Sequence, residues 1–275
     1  MDRILVTTDF SAASRHALDF TANLLQGRDA MIDLVHAFTV SVVATADALA
    51  LSSIGAGIEH AEELMSAEQE RIRTAWPQLQ ITGRVIAGNF LETIRGEALL
   101  VRPRFIVLGT AGFGDLYLGD TDPLEALRQL RYPVLFVPQS AEIRPIRQVA
   151  YACNYRFAGP KRTPLKAITE WTSWMQAQLS VVHTDKQARG EDPRQLEGER
   201  WLRENLAAAN ADFEWIMDKN VVHGLSNYLA GSDIDCVMAV PRRYGFWESL
   251  FHESRTKALA RMNRLPVIAI HELGE

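Results

Sequence analysis

Apolar residues in this chain follow two alternating rhythms. Short unbroken runs rich in Val and Ile are separated by longer stretches in which apolar positions recur every three or four residues. The first rhythm predicts strands buried on both faces, the second amphipathic helices. Ile4-Leu5-Val6-Thr7-Thr8 is the first such run, and Asp9-Phe10-Ser11 ends it. Ser11 is a good N-cap for a helix carrying Ala13, Ala17, Phe20 and Leu24 on one face, closed by Gly27 at C′. Met31 to Ala37 predicts the second strand. The stretch from Val40 to Gly57 is small, weakly polar and aperiodic; its pattern assigns no element, and it reads as a loop with room for a short helix. Ile58 to Ala75 predicts an exposed helix stopped by Trp76-Pro77. Ile81 to Ala87 is strand three, and Asn89 caps the next helix with Glu92 at N3. Arg104 to Leu108 is strand four. A glycine-bearing stretch from Gly109 to Thr121 follows, then Asp122-Pro123 as N-cap and N1 of a helix, with Glu125 completing the box. Pro133 to Val137 is strand five.

Pro138 to Pro145 carries polar residues between prolines and reads as a linker, after which the order restarts. Strands are predicted at Val149 to Cys153, Leu179 to His183, Phe213 to Met217, Ile234 to Val240 and Pro266 to His271. Helices are predicted from about Pro164 to Met175, from Asp192-Pro193 to about Ala209, and over Val221 to Ala230 and Phe251 to Met262. The second half also echoes the first in wording. Asp33-Leu34-Val35-His36 answers Ser180-Val181-Val182-His183, and Tyr132-Pro133-Val134-Leu135-Phe136-Val137 answers Leu265-Pro266-Val267-Ile268-Ala269-Ile270. A kept order with a drifting offset is the mark of tandem duplication. The fold expected is α/β: two tandem open five-stranded parallel sheets with helices on both faces, in domains 1–140 and 145–275.

A hydrophobic share of 47% supports a core in each half, and a net charge of −5 disfavours nonspecific nucleic-acid binding. No apolar run approaches the roughly 20 residues that span a bilayer, and the chain enters a strand without a signal-like start. No nucleic-acid or membrane partner is expected, and the chain is expected in the cytoplasm. Cys153 and Cys236 fall at opposite ends of parallel strands, roughly 10 Å apart and beyond disulfide reach. His36 and His183 occupy equivalent strand ends, so duplication explains them without a metal. His16, His60, His223, His252 and His271 show no ligand spacing. Trp171 and Trp174 read as core.

Open parallel sheets bind ligands beyond the carboxyl ends of their strands. In the first half those ends are Thr8-Asp9, His36-Ala37, Gly88 and the loop after Gly109. Glycine lets backbone approach a ligand, and the helix opened by Asp122-Pro123 points N–H groups at the same space. Asp9 suits a metal ion bridging phosphates, or a ribose or base group. No nucleophile with a local base and orienting partner marks a hydrolase.

The strand ending in Asp9, the sheet order, the Gly109-Thr-Ala-Gly112 loop and the Tyr132-Pro-Val-Leu-Phe-Val-Pro138 finish resemble the universal stress protein (UspA) family, in its tandem form. Pro241-Arg242-Arg243 through Trp247-Glu-Ser-Leu-Phe251-His252 resembles second halves of that form. The resemblance implies strand order 3-2-1-4-5, as in adenine nucleotide alpha hydrolase-like folds, and a cytoplasmic stress-response role. It also implies pairing through the fifth strands, as a pseudo-dimer of halves or a homodimer. Family members that bind ATP with magnesium do so through Gly-two residues-Gly-nine residues-Gly-Ser/Thr. By that motif Gly109 and Gly112 match, and Gly119 stands third after a spacer of six residues. Asp120 takes the hydroxyl position, with Thr121 one place later. Thr8 and Asp9 match the end of strand one, and Ala37 the adenine-contacting position. A carboxylate at Asp120 repels a γ-phosphate unless a cation intervenes, so the implied ATP site is a degenerate one.

In the second half Asn154 stands for Asp9, and Ala239 or Val240 for Gly109. Pro241 to Trp247 leaves no backbone able to wrap a phosphate. Arg242 and Arg243 read as solvated charges, and Phe246, Trp247 and Phe251 as loop packing. The expected protein is a stress-response binding protein, not an enzyme, with nucleotide bound in the first half only. A slow ATPase using Asp9 and Asp120, and a scaffold docking partners through the second-half aromatics, remain open.

Overall fold

A computed structural model describes residues 1–39, 48–111, 123–241 and 264–271. The chain divides into two compact units, the first running from Met1 to Gln139 and the second starting at Ser140. In the first, β1 (Asp2–Thr7), α1 (Ala12–Leu24), β2 (Ala30–Phe38), α2 (Ala48–Ala75) and β3 (Gln80–Ala87) precede α3 (Phe90–Val101), β4 (Phe105–Thr110), α4 (Pro123–Leu130) and β5 (Val134–Pro138). All its strand pairs are parallel, in the order β3-β2-β1-β4-β5. Ile4, Leu5, Val6, Ile106, Val107, Val134 and Leu135 are fully buried. Strands covered on both faces by crossover helices have no polar side to alternate, which is why they read as unbroken apolar runs.

The second unit repeats this plan. It contains β6 (Gln148–Ala152), α5 (Leu165–Met175), β7 (Gln178–Asp185), α6 (Pro193–Asn205), β8 (Asp212–Met217), α7 (Val221–Ala230), β9 (Cys236–Ala239) and β10 (Val267–Ala269). Its parallel order, β8-β7-β6-β9-β10, is the first unit's 3-2-1-4-5 again. The registers superpose strand by strand. Ile4 lies opposite Ile32 and Phe105, as Val149 lies opposite Leu179 and Cys236. Four residues beyond Phe105 and Cys236, the position of Gly109 falls on Val240. That settles the choice between Ala239 and Val240. The same register places Cys153 four residues beyond the partner of Cys236, and both remain thiols.

Several boundaries differ from the sequence reading. Thr8 lies just past β1, although its N–H still donates to Val35 O at 2.9 Å. Gly27, at φ +72°, makes the turn one residue beyond the C′ position. The largest correction concerns the stretch read as loop: α2 already begins at Ala48, while 40–47 lie outside the described residues. Gly55 and Gly57 lower helix propensity there. Gly57 has a packing reason, since a Cβ would come within 2.8 Å of the Phe38 ring. The helix after Asp192-Pro193 stops at Asn205 and passes into a 3₁₀ turn, Ala207–Ala209. The stretch read as a helix from Phe251 to Met262 lies outside the described residues. Trp171 is buried and Trp174 half-buried.

One ion pair pins β1 to β2. Asp33, 1% exposed, accepts from Arg3 Nε at 2.9 Å and Nη2 at 2.5 Å, and from Thr82 Oγ1 at 3.0 Å. Arg3→Met should cost about 2 kcal/mol, because it strands a buried carboxylate while the half-exposed arginine itself gains little. Denaturant unfolding checks this, and Asp33→Asn in the same background should recover part of the loss.

Candidate functional site

The carboxyl ends of β1, β2 and β4 in the first unit are built by a tight strand-to-helix joint. Asp9 Oδ1 accepts the Ser11 N–H at 3.0 Å, and Ser11 Oγ accepts the Ser14 N–H at 3.2 Å as the N-cap of α1. Ser14 Oγ lies 3.2 Å from Thr8 Oγ1 and donates to Ser11 O at 3.1 Å. Phe10, between them, adopts φ +63°, the left-handed region that a bulky side chain enters only under constraint. Its N–H donates to Thr8 Oγ1 at 3.0 Å, and its ring lies over His36 with centroids 4.7 Å apart. His36 Nδ1 sits 2.7 Å from Thr8 O. A carbonyl only accepts, so Nδ1 carries the proton and ties the exit of β1 to β2.

Asp9 is exposed, with Thr8 buried beneath it. Partial desolvation pushes the Asp9 carboxyl up. The Ser11 and Ser14 hydroxyls, with the Ser11 and Asp9 N–H groups, outweigh it and hold the carboxyl below the usual aspartate value. Asp9 is therefore a fixed negative charge at neutral pH.

Gly109 completes the joint. A Cβ there would stand 2.5 Å from Ala13 O and 2.7 Å from Ser14 Cα. The first turn of α1 occupies the side-chain position of Gly109, which brings the helix start, Asp9 and β4 together. The glycine thus serves helix-on-strand packing, whereas the sequence reading gave it to ligand approach. Ala37, half-buried near the end of β2, lies in register with Ile86. The structure gathers Thr8, Asp9, Ala37 and Gly109 at one end of the sheet. Gly112, Gly119, Asp120 and Thr121 lie outside the described residues.

The second unit keeps the frame and changes the filling. Cys153 N–H donates to Val182 O at 3.0 Å, Asn154 Oδ1 accepts the Arg156 N–H at 3.0 Å, and His183 Nδ1 lies 3.1 Å from Cys153 O. Tyr155 stacks on His183 at 4.4 Å, where Phe10 meets His36 at a tilt of 39°. The common role of the two histidines is therefore structural, and it extends to an aromatic partner the sequence reading missed. The shared sequence signal was an aromatic two residues beyond Thr8 and Cys153. Beyond that point the units part. A 3₁₀ turn, Tyr155–Phe157, and a loop intervene before α5 begins at Leu165, and the α5 N-cap, Pro164, makes no side-chain bond. Val240 stands where Gly109 does, Asn154 carries no charge, and among the described residues no capped helix start follows it as α1 follows Asp9. Arg242, Arg243, Phe246, Trp247 and Phe251 lie outside the described residues.

Among the described residues no cluster of three or more His, Cys, Asp or Glu could hold a metal ion, and no helix is long and apolar enough to cross a membrane. His60 is exposed beside Glu63, and His223 Nδ1 meets Asp218 at 2.7 Å at the mouth of α7.

These features meet in one family. A model of the universal stress protein family matches residues 1–138, and the chain belongs to that family. With two units of the same strand order it has the tandem form. Among solved structures, a universal stress protein from Archaeoglobus fulgidus DSM 4304 is similar over 98% of this chain and 96% of its own, with TM-score 0.67 and 14% identity. A putative universal stress protein from Pseudomonas aeruginosa UCBPP-PA14 is similar over 99% and 94%, with TM-score 0.56 and 14% identity. A functionally unknown protein, PA1789, from Pseudomonas aeruginosa PAO1 gives 0.55 at the same identity, over 99% of this chain and 93% of its own. At such identities the likeness is one of fold. No curated protein matches the chain.

Proposed function

We propose that the first unit binds an adenine nucleotide, ATP with magnesium by the family motif, and that the chain acts through binding without turnover. The observation that carries this reading is the joint at Asp9: an ionised, exposed carboxylate locked by Ser11 and Ser14, with the capped start of α1 against Gly109. Asp9 can accept from a ribose hydroxyl or a base amine. It can also supply the single carboxylate that a phosphate-bound magnesium ion takes from protein. Ala37, small and half-buried near the end of β2, stands at the family's adenine-contacting position. A carboxylate held below its ordinary pKa is a poor general base, which argues for binding over hydrolysis. The second unit, with Asn154 and Val240 at the equivalent positions, serves as structural partner, and the role is a stress response in the cytoplasm.

Calorimetry with ATP and magnesium tests this. One site per chain is expected, weakened about tenfold (~1.4 kcal/mol) in Asp9→Asn. Absence of heat at millimolar nucleotide, with the protein folded, would remove nucleotide from the function. ATP hydrolysis that disappears in Asp9→Asn would establish the ATPase instead.

A further inference from the structure

We propose that the second unit contains a specific binding site for a single water molecule, enclosed by β7, β8 and α6 and recognised by His183, Gln195 and Trp215. Three buried polar atoms on these elements have no protein partner: His183 Nε2, the Gln195 carbonyl oxygen Oε1 and the Trp215 indole N–H. Asp185 Oδ2 lies 2.6 Å from Gln195 Nε2 and 3.9 Å from His183 Nε2, and the Trp215 ring meets His183, which sets the three side chains side by side. His183 and Gln195 are both 0% exposed.

The proton positions follow from the neighbours. His183 Nδ1 faces Cys153 O at 3.1 Å and must donate, so Nε2 of the neutral ring is a bare acceptor. Burial lowers the His183 pKa, outweighing Cys153 O, Asp185 and Glu199, which raise it; Arg156 acts with burial. The ring is neutral at pH 7. Asp185 Oδ2, 3.9 Å from Nε2, is too distant for a hydrogen bond and is itself an acceptor. Partial burial pushes the Asp185 carboxyl up, but the Gln187 N–H and the Gln195 amide hold it down, so it stays ionised. The Gln195 amide has one orientation. Its Nε2 donates to Asp185 Oδ2 at 2.6 Å, and the flipped amide would set two acceptors against each other. That leaves Oε1 as the second unfilled acceptor. The Trp215 ring meets His183 edge-on at 4.6 Å, and its N–H can only donate.

Two acceptors and one donor are what one water molecule answers. Its oxygen accepts from Trp215 and its two protons go to His183 Nε2 and Gln195 Oε1, the usual three partners of a buried water. Among the described residues the first unit lacks these three groups. Its register sets Val85 opposite His36 where Trp215 stands opposite His183, and Phe38 takes the place of Asp185.

A crystal structure of the full chain showing ordered solvent should place one peak about 2.9 Å from all three atoms. A dry site, or a direct Trp215–Gln195 hydrogen bond, overturns the proposal. In solution, oxygen-17 relaxation dispersion should count one fewer long-lived water in Trp215→Phe or Gln195→Leu than in the unaltered chain, each variant checked for folding by circular dichroism. Equal counts in folded variants also overturn it. Nitrogen-15 spectra should show His183 protonated on Nδ1 alone at pH 7. A proton on Nε2 there would replace the water by a His183–Asp185 ion pair.

Discussion

Gly198→Ala is expected to melt the second unit well before the first. Gly198 sits in α6 directly against the Tyr155 carbonyl, and an added methyl would land on that oxygen and within 2.9 Å of the carbonyl carbon. Neither group can yield cheaply. The carbonyl belongs to the 3₁₀ turn whose Tyr155 ring is packed against both His183 and Trp215, and it accepts the Ala158 N–H at 3.0 Å. The helix is tied to its surroundings by the Gln195–Asp185 bond and by the Arg189–Glu199 pair. Overpacking against rigid backbone at this density costs about 3 kcal/mol. For a unit of this size that is about 10 °C in melting temperature. Calorimetric scanning should show two transitions in the variant, with only the lower one displaced. A single unshifted transition would mean that α6 is free to slide away from the turn.

Gly109→Ala is the matching expectation for the first unit. Here too the obstacle is backbone, Ala13 O and Ser14 Cα, so the start of α1 must lift from β4. The expected cost is about 2–3 kcal/mol. Because Asp9, Ser11 and Ser14 move with that turn, nucleotide affinity should fall along with stability. The converse exchange, Val240→Gly in the second unit, should create a small cavity and no nucleotide site, since Asn154 and the 3₁₀ turn remain. A Gly109→Ala protein of unchanged melting temperature would show that the approach of α1 is looser than the geometry states.

The fold was legible where burial is uniform. Strands such as β1, β4 and β5 announced themselves as unbroken apolar runs because both of their faces are covered, whereas the edge strands β3 and β8 are only partly buried and carry polar residues among the apolar ones. The caps at Ser11, Asn89 and Asp192 were legible because a short polar side chain before an apolar period has few other uses. The start of α2 was hidden because Gly57 looks like a loop residue until Phe38 is seen against it. Gly198 was read inside a helix, but the Tyr155 carbonyl that requires a glycine there lies about forty residues earlier and leaves no local signal. For the candidate site, the sequence named positions, and the packing around Thr8, Asp9 and Gly109 was not legible in it. Gly109 looked like a ligand glycine, yet the neighbour that requires it is Ala13, nearly a hundred residues earlier in the chain. The left-handed Phe10 had no signal of its own, since the reason for it, the His36 ring, arrives only when β2 pairs with β1.

The paired histidines give the molecule two internal reporters. Each imidazole makes the same bond to the carbonyl that leaves the first strand of its own unit, one ring half-exposed and the other sealed. Their carbon-bound ring protons should therefore resolve as separate resonances. Following both through a denaturant series would read the opening of each half of a single polypeptide independently, without cutting the chain or attaching a probe.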